Sequence, residues 1–213
     1  MIALCTAFKK ALIGVSNNGK EETAELDSNC KHIENLLLNI DKLLDNMNLS
    51  IKDNDSFGVV LGPGSFTGVR IAISLVKGLL AGQPNKKLVS LTSFELMAYT
   101  YINNYKPQED FVCVIDGLSG FYFVCHYNSK GEVIEGEKII SKSEYELISL
   151  KKIGLSEENV DCDEKIELDS CLLLNLCNQK LAQQQFTKPC DLIPLYLRKS
   201  QAEVSLEEKN KKV

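Results

Sequence analysis

Gly62-Pro-Gly-Ser-Phe-Thr-Gly-Val-Arg-Ile71 is the stretch on which the fold reading turns. It follows Phe57–Leu61, a short apolar run that reads as a buried strand, and it leads into a helix. Phe66, Val69, Ile73, Val76 and Leu80 form one stripe of that helix; Gly68, Ala72, Leu75, Leu79 and Gly82 form another. A helix apolar nearly all round is covered on two sides. Gly68 and Gly78 each cost about 1 kcal/mol against alanine in a helix, a cost that makes sense where another backbone comes close. Strand, glycine turn and helix together make an anion-binding device, because backbone N–H groups and the helix dipole converge on one spot. Gly62, Gly64, Ser65, Thr67 and Gly68 are therefore candidate phosphate or nucleotide contacts. A P-loop would need Lys-Ser/Thr after the last glycine, where Val69–Arg70 stand instead. A dinucleotide fingerprint fits Gly62, Gly64 and Gly68 loosely, but the next strand, Leu88–Leu91, ends without a ribose-binding acid. A turn without any ligand is the third reading.

Upstream, Met1–Ala7 and Ala11–Val15 read as strands, and Asn17-Asn18-Gly19 signals a tight hairpin into Glu22–Leu26. Ile33, Leu36, Leu37, Ile40, Leu44 and Met47 have helical spacing, and Leu38 and Leu43 widen the stripe beyond one core face. Asn48–Asp55 is a polar break. Downstream, Thr92-x-x-Glu95 is a capping box opening a third helix through Tyr101. Pro107 and Glu109–Asp110 mark a boundary, giving an N-terminal lobe 1–106 and a smaller lobe 107–213 with a flexible tail. Strands are expected at Phe111–Ile115, Phe121–Tyr127 and Glu132–Ile140, with helices within Ser141–Leu150 and Cys171–Gln184. The second half thus begins like the first, as two related α/β lobes would.

Composition narrows the function. The 213 residues are 44% hydrophobic and 25% charged, ordinary globular values, with a net charge of −5. No basic stripe suited to phosphate neutralisation precedes the last few residues. No secretory signal and no membrane-length apolar run is read, so a cytoplasmic protein without a membrane role is expected. The eight cysteines form no Cys-x-x-Cys pair and are expected to stay reduced, acting as small hydrophobes.

The decade Gly62–Ile71 closely resembles the signature of the TsaB family, also called YeaZ, within the actin-like/Hsp70-like ATPase superfamily. Lys31-His-Ile-Glu-Asn-Leu-Leu37 is similar to that family's His-Ser-Glu-x-Leu-Leu helix start, with Ile33 in place of Ser. Leu192-Ile-Pro-Leu-Tyr-Leu-Arg198 with Ala202–Glu203 resembles its C-terminal motif. The likeness is good over about 30–100 and at the end, and loose over about 128–190. It implies an α/β, ribonuclease H-like fold of two lobes, each with a mixed sheet.

It also implies a non-catalytic subunit in the synthesis of threonylcarbamoyladenosine at position 37 of tRNA. Such a subunit supports the threonylcarbamoyltransferase TsaD, is joined by the ATPase TsaE, forms a homodimer without TsaD, and meets tRNA only through the complex. The implied partner interface comprises Ile33, Leu37, Phe66, Val69, Arg70, Ala72, Ile73 and Val76, with Arg70 meeting an acid or a nucleotide phosphate there. Actin-like ATPases place an Asp-x-Gly-Thr turn after the first strand, where this chain has Cys5-Thr-Ala-Phe8; a thiol is a poor magnesium ligand. Asp116–Gly117 is its candidate echo in the second lobe. Catalytic relatives carry His-x-x-x-His, whereas His32 and His126 stand far apart. No catalytic residue, metal ligand or cofactor of its own is assigned, and a nucleotide is expected only at the partner interface. The rivals are an autonomous nucleotide-binding protein of the same fold, using Gly62–Thr67, and a free-standing dinucleotide enzyme.

Overall fold

The computed structural model describes residues 1–27, 32–83 and 85–198, the side chains of residues 32–34 excepted. The first sheet contains β1 (Ile2–Cys5), β2 (Ala11–Asn17), β3 (Lys20–Leu26), β4 (Ser56–Val60) and β5 (Lys87–Leu91), in spatial order β3-β2-β1-β4-β5. The second contains β6 (Phe111–Asp116), β7 (Phe121–Tyr127), β8 (Val133–Ser141), β9 (Lys151–Leu155) and β10 (Glu164–Ile166), in order β8-β7-β6-β9-β10. In each sheet the first three strands in sequence run antiparallel and the last two are added in parallel. One topology is used twice.

Local chemistry accounts for the elements. Asn18 and Gly19 hold φ of 49° and 78°, the left-handed values a two-residue hairpin requires between β2 and β3. Helix α1 (His32–Asn46) buries Leu36, Ile40, Leu43 and Leu44, and α2 (Phe66–Leu80) links β4 to β5. Helix α3 (Ser93–Tyr105) starts at the expected box: Glu95 N donates to Thr92 Oγ1 at 3.1 Å, and Thr92 N donates to Glu95 Oε2 at 2.7 Å. Within the expected Ser141–Leu150 helix only α4 (Lys142–Glu146) is helical. The short strands β9 and β10 were not expected. Each has few residues to show alternation, and β9 opens on two lysines. Helix α5 (Ser170–Ala182) is capped by Asp169, whose carboxylate accepts from Leu172 N at 2.7 Å.

The boundary at 106/107 separates the sheets but not the cores. Helix α3, from the first half, packs Phe94, Met97, Ala98 and Tyr101 with Phe111, Cys113 and Tyr127 of the second sheet. Helix α5, from the second half, lies on the first sheet and buries Leu173, Leu174 and Cys177 there. Register shows why. Gly14, Ala3 and Gly58 are lateral partners across β2, β1 and β4, so they share one face and form a row of small residues. A Cβ on Gly58 would sit 2.4 Å from Cys177 Sγ, and one on Gly14 would sit 2.9 Å from Leu174 Cβ. The row is a bed for α5, and α1 and α2 take the opposite face. Chain halves that exchange their last helices are held together by the hydrophobic effect rather than by a linker.

Candidate functional site

The glycine turn is packed against the end of the first strand. Ser65 N donates to Ala7 O at 2.6 Å, and Thr6 Oγ1 donates to Gly68 O at 2.6 Å. Ser65 caps α2 by accepting from Gly68 N at 3.2 Å. Gly62 has φ of 94°, and the turn is tied to α3 through Ser93 N to Gly62 O at 2.8 Å and Ser93 Oγ to Pro63 O at 2.6 Å. A Cβ on Gly64 would lie 2.3 Å from Ala7 O, and one on Gly68 would lie 1.9 Å from Thr6 O. These two glycines are therefore accounted for by the chain's own backbone. Of the N–H groups at the helix start, those of Ser65 and Gly68 are already bonded inside the protein. Gly64, Ser65 and Thr67 are exposed, Gly68 is half-buried and Gly62 is buried.

The interface residues divide. Val69, Ala72, Ile73 and Val76 are buried in the core of their own lobe. Burial leaves them little surface for a partner, which corrects their assignment to the interface, although Ile73 also lines the open groove beside Arg70 and Tyr196. The close seating of Gly68 on Thr6 sets the rotation of α2, turning the Val69/Ala72/Ile73/Val76/Leu80 stripe to the sheet. The outward stripe is Ile71, Leu75 and Leu79, half-buried and spaced four apart with Gly78 beside them. Phe66 and Arg70 are exposed, and on α1 Leu37 and Leu38 are 41% and 57% exposed. The side chains of Ile33 and His32 lie outside the described residues, as do Ala202–Glu203.

The C-terminal motif runs back over this surface. Leu192 is buried in the first core, and Leu195 N donates to Leu61 O at 2.8 Å. Tyr196 stacks on Phe66 with ring centroids 4.9 Å apart, and the Arg70 guanidinium lies 3.8 Å over the Phe66 ring. Two residues on, Arg198 Nη1 donates to Gly117 O at 3.0 Å and Leu118 O at 3.1 Å. A strap thus crosses from α2 to the β6–β7 turn.

Where a two-lobed ATPase would hold a nucleotide, this chain offers different chemistry. Cys5 is fully buried, and burial pushes its thiol up to about 12, so it stays neutral. Asp116 Oδ1 accepts from Leu118 N at 2.8 Å, capping its own turn. Carboxylates from the β9–β10 connection enter the cleft: Glu157 bonds the β1–β2 turn, and Glu158 Oε2 accepts from Asp116 N at 3.1 Å. Sequence reasoning missed both, because a Glu-Glu pair in a polar loop carries no signal of its own. Burial raises Glu158 to about 7, with the nearby charges of Asp116 and Glu157 adding to the rise. Among the described residues no three His, Cys, Asp or Glu side chains gather as a metal site would need, and Cys5, Cys113, Cys125, Cys162, Cys171, Cys177 and Cys190 are free thiols. No described helix is long and apolar enough to cross a membrane.

Residues 27–159, more than half of the chain, match the family model described as TsaD, tRNA N6-adenosine threonylcarbamoyltransferase. A tRNA threonylcarbamoyladenosine biosynthesis protein TsaB of Buchnera aphidicola subsp. Baizongia pistaciae is 26% identical over 157 residues, 71% of either chain. The protein of that name from Haemophilus influenzae is 23% identical over 221 residues, 93% of either chain. The solved structure of YeaZ from Pseudomonas aeruginosa superposes with a TM-score of 0.75 at 19% identity, covering 92% of this chain and 98% of that one.

Proposed function

The chain belongs to the TsaB (YeaZ) family of tRNA threonylcarbamoyladenosine biosynthesis proteins, within the wider family of the TsaD model, and from that premise we propose that it is the subunit that binds and supports TsaD. The observation that carries the proposal is the apolar surface left on two helices of one face: Ile71, Leu75 and Leu79 on α2, with Leu37 and Leu38 on α1. Apolar side chains lined up on neighbouring helices mark a protein contact more often than chance exposure does. Gly78, where a Cβ would meet nothing within 4 Å of its own chain, leaves room for a second backbone. The same surface serves a second copy of the chain when TsaD is absent, so the two partners compete.

The chain adds no catalytic group. In this reading TsaD transfers the threonylcarbamoyl group to adenosine 37, TsaE joins as the ATPase, and tRNA is met through the assembly in the cytoplasm. A nucleotide, where one is held, sits at the joint with the partner. Autonomous nucleotide binding is disfavoured by the neutral Cys5 thiol and by the carboxylates standing in the cleft.

The test is a pull-down of TsaD, paired with sedimentation of the chain alone, using Leu75→Asp and Leu38→Glu. Leu38 is exposed and Leu75 is half-buried against its own core. Leu38→Glu should therefore keep the thermal midpoint near wild type and Leu75→Asp should lower it, while capture of TsaD and self-association fall together in both. Undiminished capture by a folded double variant would remove the interface from these helices.

A further inference from the structure

Two successive backbone N–H groups in the turn between β1 and β2 point at one carboxylate. Lys9 N donates to Glu157 Oε1 at 3.0 Å, and Lys10 N donates to Glu157 Oε2 at 3.3 Å. Lys9 Nζ closes the contact by donating to the main-chain oxygen of Glu157 at 2.8 Å. The partners are 147 and 148 residues apart and belong to different lobes. Consecutive N–H groups converging on an anion form a concave nest, a geometry that accepts carboxylate and phosphate oxygens alike. Glu157 does not arrive there on a loose loop. Ser156 N donates to Ile166 O at 3.0 Å and Glu158 N donates to Leu155 O at 3.1 Å, so the segment is pinned on both sides. Glu158 then takes the N–H of Asp116 at the end of β6. One dipeptide therefore fills backbone donors in the β1–β2 turn of one lobe and at the end of β6 in the other.

We propose that the Lys9–Lys10 turn is an anion site of the phosphate class, filled by the chain's own Glu157 carboxylate, and that this internal anion keeps external phosphates out of the cleft. A surface ion pair would be the simpler account, but both carboxylate oxygens are spent on main-chain donors rather than on lysine ammonium groups. Charge explains the exclusion. A phosphate entering there would meet the carboxylates of Glu157, Asp116 and Glu167 and a Glu158 that is only partly ionised near neutral pH. Against these Lys9 and Lys10 supply two cations, and Lys10 is already shared with Glu25 at 3.5 Å. Without Glu157 the nest and Lys10 border an opening lined by the apolar Phe8, Leu12, Leu155 and Ile166, with Glu167 the one other acid among the described residues of its wall. The proposal stands independently of the partner surface, which lies on other helices.

The experiment uses the full chain labelled with 15N, titrated with inorganic pyrophosphate while the amide signals of Lys9 and Lys10 are followed. Wild type should show no saturable shift. Glu157→Ala should bind with at least tenfold higher affinity than wild type, about 1.4 kcal/mol or more, with Glu157→Gln in between. A folded Glu157→Ala chain whose two amides ignore pyrophosphate overturns the proposal, and so does wild type that binds as well. Should the alanine variant fail to fold, the isosteric Glu157→Gln chain decides by the same two criteria. Wild type alone gives a further check: Lys9 and Lys10 amides should exchange slowly with solvent, and fast exchange of both contradicts a filled site.

Discussion

Arg70 Nε donates to the Tyr196 hydroxyl at 2.5 Å, joining residues 126 apart in sequence. The two segments that carry the family resemblance, Gly62–Ile71 and Leu192–Arg198, are thereby one structural unit, with Phe66 between them. The strap is laid along the helix that carries the outward apolar stripe. Its packing and the partner surface share α2.

Replacing Arg70 tests that unit. A guanidinium offers a flat face to Phe66 and a directed N–H to Tyr196, whereas a lysine ammonium offers neither in that geometry. Arg70→Lys should cost about 1 kcal/mol in urea denaturation, the sum of one exposed stacking contact and one net hydrogen bond. Tyr196→Phe should cost less, since the stack on Phe66 survives. Equal losses in the two variants would mean that the hydroxyl bond alone matters.

Gly68→Ala should be far more damaging than Gly78→Ala. The first would drive a Cβ to 1.9 Å from Thr6 O, a main-chain atom that cannot step aside, while the second meets nothing. By helix propensity both changes gain about 1 kcal/mol, so Gly78→Ala should raise the melting midpoint of the isolated chain. It should at the same time weaken capture of TsaD, because the added methyl enters the proposed interface. A stable, well-folded Gly68→Ala chain would show that the turn does not rest on Thr6.

Much of this was legible in the sequence, for reasons visible in particular residues. The Asn-Gly hairpin and the Thr92–Glu95 box are local, and their chemistry acts within four residues. The doubled ββ start of each half foretold two lobes, and both sheets do share one strand order. The facing of α2 was not legible. Its two apolar stripes are nearly equivalent on a helical wheel, and only the contact of Gly68 with Thr6, 62 residues away, selects Val69 and Val76 for the core. The exchange of α3 and α5 between lobes was equally hidden. Gly14, Ala3 and Gly58 are ordinary small residues until register places them side by side.

Lys180 and Glu95 tie α5 to α3 at the point where the exchanged helices meet. Lys180 Nζ is in direct contact with Glu95 Oε1 and also donates to Ser90 O at 3.0 Å, while the other Glu95 oxygen caps α3. The lysine side chain is 13% exposed and the glutamate 35%, so the pair is only partly screened by water. Lys180→Met should cost on the order of 2 kcal/mol, below the range for a fully buried pair. Glu95→Gln should cost less than Glu95→Ala, because the amide oxygen can still cap Thr92 N. Thermal unfolding of the three variants checks the order.

Glu158 gives the inter-lobe contact a defined pH dependence. Its carboxyl is held at about 7 against an ordinary 4.5, first by burial, then by Asp116 and Glu157, with the Asp116 N–H and Lys9 opposing. A raised carboxyl binds more protons folded than unfolded between those two values, so stability must fall as pH rises through that window and level off above it. The loss should be on the order of 2 kcal/mol, discounted for partial exposure. Glu158→Gln removes the titration and should leave a flatter profile between pH about 4.5 and about 7 in denaturant midpoints. The variant should be the more stable of the two above pH about 7, because it presents no buried charge to Asp116 and Glu157. Parallel profiles for wild type and variant would show that Glu158 is not raised, and that its carboxylate reaches water despite its place between the lobes.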